Sequence, residues 1–110
     1  MRSAFFWSVL PLAGACMAQP NTWTRLNDIG QSVVDGRCAR ISAVGFSVGG
    51  RGYLTTGYAI LYGGNRKDLW EYDPVTDGWT QRADLPGEAR KEAVGFAIND
   101  KGYVCAGMGA

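Results

Sequence analysis

The feature that most constrains this chain is a direct repeat. The stretch from Arg40 to Gly57 returns 50 residues later, from Arg90 to Gly107, without a gap. The leading Arg, the run Ala-Val-Gly-Phe, the pair Gly-Tyr and the final Gly are identical in both copies, and four more positions change conservatively. A period of about 50 residues with several short strands per unit is typical of β-propeller blades. The repeat therefore predicts an architecture before it predicts any activity.

Each copy contains one strand with two different faces. Small and large residues alternate strictly over residues 43–48, and residues 93–98 repeat the alternation. Period two predicts a strand, and apolar or small residues on both faces predict burial of both faces. We expect the large face of one blade to pack into the small face of the next, near the axis of the propeller.

The other strands of the unit are separated by turn residues. Gly49-Gly50-Arg51-Gly52 and Asn99-Asp100-Lys101-Gly102 predict hairpin turns, and residues 58–66 predict a loop. Pro74 cannot continue a central strand, and Asp77-Gly78 is a turn pair. The later strands are expected at residues 53–57, 67–73 and 79–82, and a short Trp/Thr strand is expected at 22–26. The sequence thus predicts an all-β fold of four-stranded antiparallel blades, with about one and a half blades present.

Residues 1–18 are predicted to be a secretory signal peptide rather than part of the fold. Met1-Arg2-Ser3 is positively charged, residues 4–12 are apolar, and small residues then lead to a cleavage site after Ala15 or Ala18. The apolar run is too short to be an ordinary transmembrane helix. We therefore expect an exported protein, at the cell surface, in the periplasm or secreted, whose mature part is 19–110.

The three cysteines raise separate questions. Cys16 follows Leu12-Ala13-Gly14-Ala15, which resembles a bacterial lipobox except that Leu12 lies four positions before the cysteine instead of three. We favour a cysteine that is discarded with the signal peptide, and a lipid anchor at Cys16 is the alternative. Cys38 and Cys105 could pair in an exported protein. They occupy non-equivalent places in the repeats, however, and Cys105 stands where the first copy has Thr55, which predicts a small buried strand residue.

Charge and composition argue against several functions. The 11 Lys and Arg residues balance 10 Asp and Glu residues without a basic block, so nucleic-acid binding is not expected. The sequence contains no histidine, so catalytic Ser/His and Cys/His pairs are excluded in this stretch and a metal site is not expected. Asp73, Asp77 and Asp84 could suggest a calcium loop, but Val75 stands where a second oxygen ligand is needed. We expect no catalytic residue, metal or cofactor in this stretch.

A longer set of motifs resembles the Kelch repeat. The matching residues are Asp68-Leu69-Trp70-Glu71-Tyr72-Asp73-Pro74, Asp77-Gly78-Trp79-Thr80, Leu85-Pro86 and Arg90, followed by Gly102-Tyr103 and Gly107. The chain departs from the pattern at the paired glycines, which read Thr56-Gly57 and Ala106-Gly107. A single glycine at this position resembles the variant found in exported bacterial Kelch-type proteins. The resemblance covers residues 21–110.

The resemblance implies a Kelch-type β-propeller with a complete blade at 40–83 and a truncated blade from residue 90. Propellers have about four to eight blades, so the chain is predicted to be the N-terminal portion of a longer protein. Residues 22–26 would then be the outer strand that completes the last blade and closes the ring. A short protein of which several copies close one ring is another interpretation.

The function implied by the resemblance is a module that binds a protein or a carbohydrate at the cell envelope. The alternative is an exported carbohydrate-active enzyme, galactose-oxidase-like or sialic-acid-mutarotase-like, with catalytic residues in other blades. Galactose-oxidase-like proteins hold copper with histidines, so these residues alone cannot form that site.

Six residues are candidate contacts for a ligand or partner. Arg40 and Arg90 precede the inner strands, a region that approaches the mouth of the channel in this family, although they could equally hold loop carbonyls. The loop at 58–66 is the longest connection in the complete blade, and loops on a rigid scaffold are common binding sites. Its candidates are Tyr58, Tyr62, Asn65 and Arg66. The aromatic side chains of Trp70, Tyr72 and Trp79 could stack on sugars. They fall at the positions that the Kelch pattern uses for packing between blades, however, and are expected to be structural.

Overall fold

The computed structural model describes residues 20–30 and 38–109. The predicted signal peptide and Cys16 lie outside the described residues. The regular secondary structure of the described residues consists of β-strands, which form antiparallel sheets of two, four and two strands. The strands are β1 (Arg40–Ile41), β2 (Val44–Val48), β3 (Arg51–Thr55), β4 (Tyr58–Ala59), β5 (Leu69–Asp73), β6 (Gly78–Arg82), β7 (Val94–Ile98) and β8 (Lys101–Cys105). The part of the chain that the structure describes contains no helix long and apolar enough to cross a membrane.

The first repeat forms a complete blade. Its four strands pair in the order β2-β3-β5-β6, as predicted from the alternation and the turn residues. The turn between β2 and β3 is shorter than expected, because only Gly49 and Gly50 lie between the strands, at φ values of 58° and 78°. A two-residue hairpin turn whose twist matches that of its strands requires positive φ at both central residues, and glycine adopts such values without strain. Arg51 and Gly52 already belong to β3.

The second repeat forms a hairpin of the same register. Phe96 pairs with Tyr103 as Phe46 pairs with Tyr53, and Asn99 and Asp100 form the turn at φ values of 51° and 62°. No third strand pairs with β8 within residues 20–30 and 38–109. The described residues thus form one four-stranded blade, the hairpin of a second repeat and the short pair β1–β4.

The two repeats pack as the alternation predicts, with a large face against a small face. A Cβ added to Gly95 would lie 2.8 Å from Val44 Cγ2 and 3.1 Å from Phe46 Cδ1. The equivalent Cβ at Gly45 would come within 4 Å only of the Tyr53 carbonyl oxygen, at 3.3 Å. The large side chains of β2 therefore fill the space that the glycines of the second hairpin leave.

The expectation that both faces of every inner strand are buried is wrong for this chain. Phe96 and Val94 on β7 are 41% and 53% exposed, and Gly45 and Ser47 on the other face of β2 are exposed as well. Each of these faces lies on the side of its hairpin that no other described strand covers. The burial predicted from the alternation therefore occurs only where the two repeats meet.

Cys105 is exposed, so the prediction of a small buried residue is also wrong. The equivalent Thr55 is fully buried, and its hydroxyl donates to the Asp68 carbonyl at 2.8 Å, just before the strand that covers it. Among the described residues nothing occupies that place beside Cys105. Cys38 is buried, and both cysteines are free thiols, so they do not form the disulfide considered from the sequence.

The segment at 20–30 does not contain the predicted strand at 22–26. Within the described residues no strand is placed to pair with it, and Trp23 is fully exposed. The segment is attached to the blade through Asn27, whose amide group Nδ2 donates to the Asp77 carbonyl at 2.7 Å. Trp79 Nε1 donates to the Asn27 carbonyl at 3.0 Å. The role of 22–26 in closing a ring stays a prediction.

A charged cluster joins three strands of the complete blade. The carboxylate of Glu71 on β5 accepts hydrogen bonds from Tyr53 Oη at 2.7 Å, Arg51 Nη1 at 3.1 Å and Arg82 Nη2 at 2.6 Å. The hydrogen bonds from Arg82 and Tyr53 lower the pKa of Glu71 to about 2. A carboxylate that accepts bonds from β3 and β6 on either side favours this register of the three strands.

Candidate functional site

Two long connections meet along one edge of the blades. They are residues 56–68, between β3 and β5, and residues 83–93, between β6 and β7. Gly57 N donates to the Arg90 carbonyl at 2.9 Å, Arg66 N to the Gly57 carbonyl at 2.8 Å, and Arg90 N to the Arg66 carbonyl at 3.0 Å. We call this edge, formed by residues 56–68 and 83–93, the loop edge. Its backbone ties the first blade to the second.

The stretch at 58–66 is a small hairpin rather than the open loop that the sequence predicted. Its first residues form β4, which pairs with β1 through Arg40–Ala59 and Ile41–Tyr58. A bridge between Tyr58 and Asn65 and a hydrogen bond of 3.0 Å from Ala59 N to the Gly64 carbonyl close its base. We call residues 58–65 the tip hairpin.

The tip hairpin has a buried base and an exposed end. Ala59 is fully buried, whereas Ile60, Leu61 and Tyr62 are 57%, 70% and 57% exposed. Three consecutive large side chains at the surface are unusual for a connection whose backbone is held so tightly. The tip hairpin therefore presents apolar surface from a fixed position.

Arg40, the first candidate contact, is buried. Its side chain is 3% exposed and forms two hydrogen bonds with the Asp68 carboxylate, at 2.7 and 2.8 Å. Its remaining donors reach the carbonyls of Thr56 and Cys38, both at 3.1 Å. Burial raises the pKa of Asp68, but the bonds from Arg40 and Trp70 outweigh burial and hold that pKa below its usual value. Arg40 therefore joins β1 to the residue that precedes β5 instead of facing solvent.

Arg90 repeats part of this arrangement. Its Nη1 donates to the Ala106 carbonyl at 3.1 Å and its Nε to the Glu88 carbonyl at 3.3 Å, the positions equivalent to Thr56 and Cys38. Both arginines thus hold carbonyls, which was one of the two roles considered from the sequence. Arg90 also lines a small cavity of about 140 Å³, together with Leu85, Pro86 and Val104.

The other candidates lie close together at the loop edge, and two of them contact the second repeat. Asn65 Nδ2 donates to the Met108 carbonyl at 3.2 Å. Lys91 Nζ lies over the Tyr58 ring, 5.4 Å from its centroid, at a distance typical of a cation–π contact. Tyr62 is the candidate that lies at the exposed end of the tip hairpin.

A polar cavity of about 360 Å³ opens beside the tip hairpin. Its lining combines two amides, two carboxylates and two cations, contributed by the loop edge and by β6. The lining residues are Asn65, Arg66, Lys67, Asp68, Gln81, Asp84 and Ala89. Gln81 and Asp84 were not among the candidate ligand contacts, although Asp84 was considered as a calcium ligand. They reach the cavity because β6 pairs with β5 through Leu69 and Arg82.

The aromatic residues that could have stacked on sugars have structural contacts, but they pack within one blade instead of between blades, where the Kelch pattern predicted them. Trp70 Nε1 donates to the Asp68 carboxylate at 2.7 Å, and Tyr72 Oη donates to Asp77 at 2.9 Å. The Tyr72 and Trp79 rings lie 4.9 Å apart at 47°. These contacts orient the outer strands.

The lowered pKa values of Asp68 and Glu71 do not suit these two carboxylates to acid catalysis. Asp68 and Glu71 both have lowered pKa values, caused by hydrogen bonds from arginine and from Trp70 or Tyr53. A general acid needs a raised pKa in order to carry a proton near neutral pH. Over residues 20–30 and 38–109, no group of three or more Cys, Asp and Glu side chains could hold a metal ion.

No protein-family model and no curated protein matches the chain. Among solved structures, that of YjhT matches with a TM-score of 0.63 and 25% sequence identity over 80% of this chain. The chain spans about a quarter of the YjhT chain, 25% of it. YjhT is a β-propeller, and the strand order and the stacking of the two repeats agree with that architecture. The chain therefore has the all-β fold of a β-propeller and contains one complete blade and the inner hairpin of the next.

Proposed function

We propose that the chain is the N-terminal portion of an exported Kelch-type propeller whose loop edge binds a protein or a carbohydrate. The tip hairpin is the observation that carries this proposal. Backbone hydrogen bonds fix its base, yet Ile60, Leu61 and Tyr62 remain exposed at its end. Exposed apolar side chains on a rigid support are characteristic of interaction sites, because the binding surface is already ordered.

The cavity beside the tip hairpin supplies the polar half of such a site. Amide and carboxylate groups can bind hydroxyl groups. Tyr62, on the tip hairpin that also contributes Asn65 to the lining, offers an apolar ring with a polar end. The cavity of about 360 Å³ lies within the usual size range of small-ligand sites. This combination supports a carbohydrate, or the polar and aromatic surface of a protein, as the ligand.

Export rests on the sequence of the first 18 residues. The N-terminus of the mature protein tests it directly. We expect the native protein to begin at Gln19, and a protein that begins at Cys16 with a mass increased by acyl chains would show the lipid anchor instead. Retention of Met1 in the native protein would contradict export by this signal.

Binding is tested by ligand-observed NMR with neutral hexoses, N-acetylhexosamines and sialic acid as probes. Tyr62→Ala removes the aromatic ring at the tip hairpin, and Val75→Ala is the matched control. Val75 is 90% exposed in the turn between β5 and β6, which lies outside the loop edge. We expect Tyr62→Ala to weaken binding about tenfold or more, because truncation of an aromatic contact commonly has that effect. Equal binding by both variants and the unchanged protein would contradict the proposal.

The second candidate is an exported carbohydrate-active enzyme with catalytic residues in other blades. It is supported by the polar lining of the cavity and by the structural similarity to YjhT, of which this chain spans about a quarter. Turnover distinguishes it from a binding module. Interconversion of sialic acid anomers, or oxidation of galactose, by a longer chain that includes this one would favour the enzyme, whereas binding without turnover would favour the module.

A further inference from the structure

Three residues from distant parts of the chain form a closed ring of backbone hydrogen bonds at the base of the tip hairpin. Arg66 N donates to the Gly57 carbonyl, Gly57 N to the Arg90 carbonyl, and Arg90 N to the Arg66 carbonyl, at 2.8, 2.9 and 3.0 Å. Gly57 and Arg66 flank the tip hairpin, whereas Arg90 leads into the second repeat. One of the three bonds therefore joins the two ends of the tip hairpin directly, and the other two pass through Arg90.

The residue after Arg90 is attached to the second hairpin. Lys91 and Met108 exchange two backbone hydrogen bonds, of 3.0 and 2.8 Å, and Met108 lies just beyond β8. A Cβ added to Gly107 would lie 2.8 Å from the Lys91 carbonyl oxygen, so glycine permits this close approach. The closed ring is thus continuous with the backbone that fixes both ends of the second hairpin.

Side chains cross the same junction. Asn65 Nδ2 donates to the Met108 carbonyl at 3.2 Å, and Lys91 Nζ lies 5.4 Å from the centroid of the Tyr58 ring. Gly57 itself is buried. Backbone groups that lose their partners at a buried position have no water to replace them, so the bonds of the closed ring are costly to break one at a time.

We propose that the tip hairpin and residues 90–91 open and close as one cooperative unit, which couples the tip hairpin to the second repeat. Each of Gly57 and Arg66 takes part in two bonds of the closed ring, and for each residue one of these bonds is shared with Arg90. Movement of either residue therefore removes a partner of Arg90, and opening is favoured only when residues 90–91 are released as well.

The unit has a consequence for binding. A ligand that holds the tip hairpin closed would, through the same bonds, stabilise the attachment of the second repeat, because coupling between two sites is reciprocal. The inference itself concerns the chain without ligand, so it does not depend on the proposed binding function.

Native-state hydrogen exchange of the 110-residue chain, followed by NMR, tests the proposal. The amides of Gly57, Arg66 and Arg90 should have equal free energies of opening and the same dependence on denaturant. The amide of Glu71, in the middle of the four-stranded sheet, should exchange more slowly. Different free energies of opening at Arg66 and Arg90 overturn the proposal. Equal values for the unit and for Glu71 also overturn it, because the unit would then open only when the whole chain unfolds.

Ala59→Gly weakens the tip hairpin without altering residues 90–91. Ala59 is fully buried in β4, and glycine within a strand should accelerate exchange at both Arg66 and Arg90 by about two- to fivefold. Ala83→Gly is the matched control, because Ala83 is exposed just after β6 and should leave both amides unchanged. Acceleration at Arg66 alone, or at neither amide, overturns the proposal.

Met108→Pro tests the coupling from the opposite end and leaves the sequence of the tip hairpin intact. It removes the donor to the Lys91 carbonyl. Exchange at Arg66, in the first blade, should become about fivefold faster, the effect of one lost backbone hydrogen bond. Glu71 should not change. Near-ultraviolet circular dichroism shows that each variant is folded, and unchanged exchange at Arg66 in folded Met108→Pro contradicts the coupling.

Discussion

Gly52 and Gly102 are identical in sequence context but opposite in environment, and alanine at each position measures the difference. Both belong to a Gly-Tyr pair at the start of the second strand of a hairpin. A Cβ at Gly102 would overlap the Phe46 ring, whereas a Cβ at Gly52 would make only an ordinary van der Waals contact at 3.7 Å. The same substitution should therefore have opposite effects on stability.

The magnitudes follow from two terms. Alanine in place of a strand glycine with unstrained φ stabilises by about 0.4–1 kcal/mol, because the unfolded chain loses freedom. Overpacking costs about 1–3 kcal/mol, and the Phe46 ring, stacked on Tyr53, has little room to move. We expect Gly52→Ala to raise the free energy of unfolding by about 0.5 kcal/mol. We expect Gly102→Ala to lower it by about 1 kcal/mol.

Urea unfolding of both variants, followed by tryptophan fluorescence at protein concentrations low enough to exclude association, measures these changes. Phe46→Leu in the Gly102→Ala background makes room for the added methyl group. The effects of these two substitutions should therefore be less than additive, since the two residues are in contact. Gly102→Ala as stable as Gly52→Ala, or fully additive effects with Phe46→Leu, would refute the packing of Phe46 against Gly102.

Three further predictions concern the charged groups and the thiols. Arg40→Ala should destabilise the chain by about 2 kcal/mol in urea unfolding, because it removes two charge-assisted hydrogen bonds to the partly buried Asp68 carboxylate, whereas Arg90→Ala removes only bonds to carbonyls and should cost about 1 kcal/mol. Since hydrogen bonds lower the pKa of Glu71 from 4.5 to about 2, its contribution is complete above pH 4.5 and is lost as pH falls toward 2. Glu71→Gln should therefore flatten the pH dependence of the urea midpoint over that range. Iodoacetamide should label Cys105 at least about tenfold faster than Cys38, which is 7% exposed, as measured by peptide mass mapping.

Each of these predictions has a contrary result. Equal destabilisation by the two arginine substitutions would mean that the Asp68 pair does not matter for stability. An unchanged pH profile in Glu71→Gln would show that this carboxylate is not ion-paired in solution. A peptide pair linked between the two cysteines would contradict their separation in the structure.

The repeat predicted the blades because its signals are local. Strict alternation over residues 43–48, and turn pairs such as Gly49-Gly50, determine strands and hairpins over a few residues. The stacking of large on small faces was also predictable, since the alternation assigns Phe46 to a large face and Gly95 to a small face. These features depend on the order of neighbouring residues alone.

The features that the sequence did not reveal depend on distant partners. Arg40 and Asp68 lie 28 residues apart, and no local pattern marks their hydrogen-bonded pair. The base of the tip hairpin is held by the pairing of β1 with β4, which are separated in sequence by the hairpin β2–β3. Each of these strands has only two residues, which is too short for a local pattern, so residues 58–66 were predicted as a loop. The exposure of Cys105 likewise depends on which strand covers it, which a comparison with Thr55 could not show.

The fold depends on the contact between the two repeats as consecutive blades. Nuclear Overhauser effects from the Phe46 ring in the 110-residue chain test it most directly. The structure predicts strong effects to the α protons of Gly95 and Gly102, in addition to those to Tyr53 in the same hairpin. Effects confined to Tyr53 and its own blade would contradict the stacking of the two repeats.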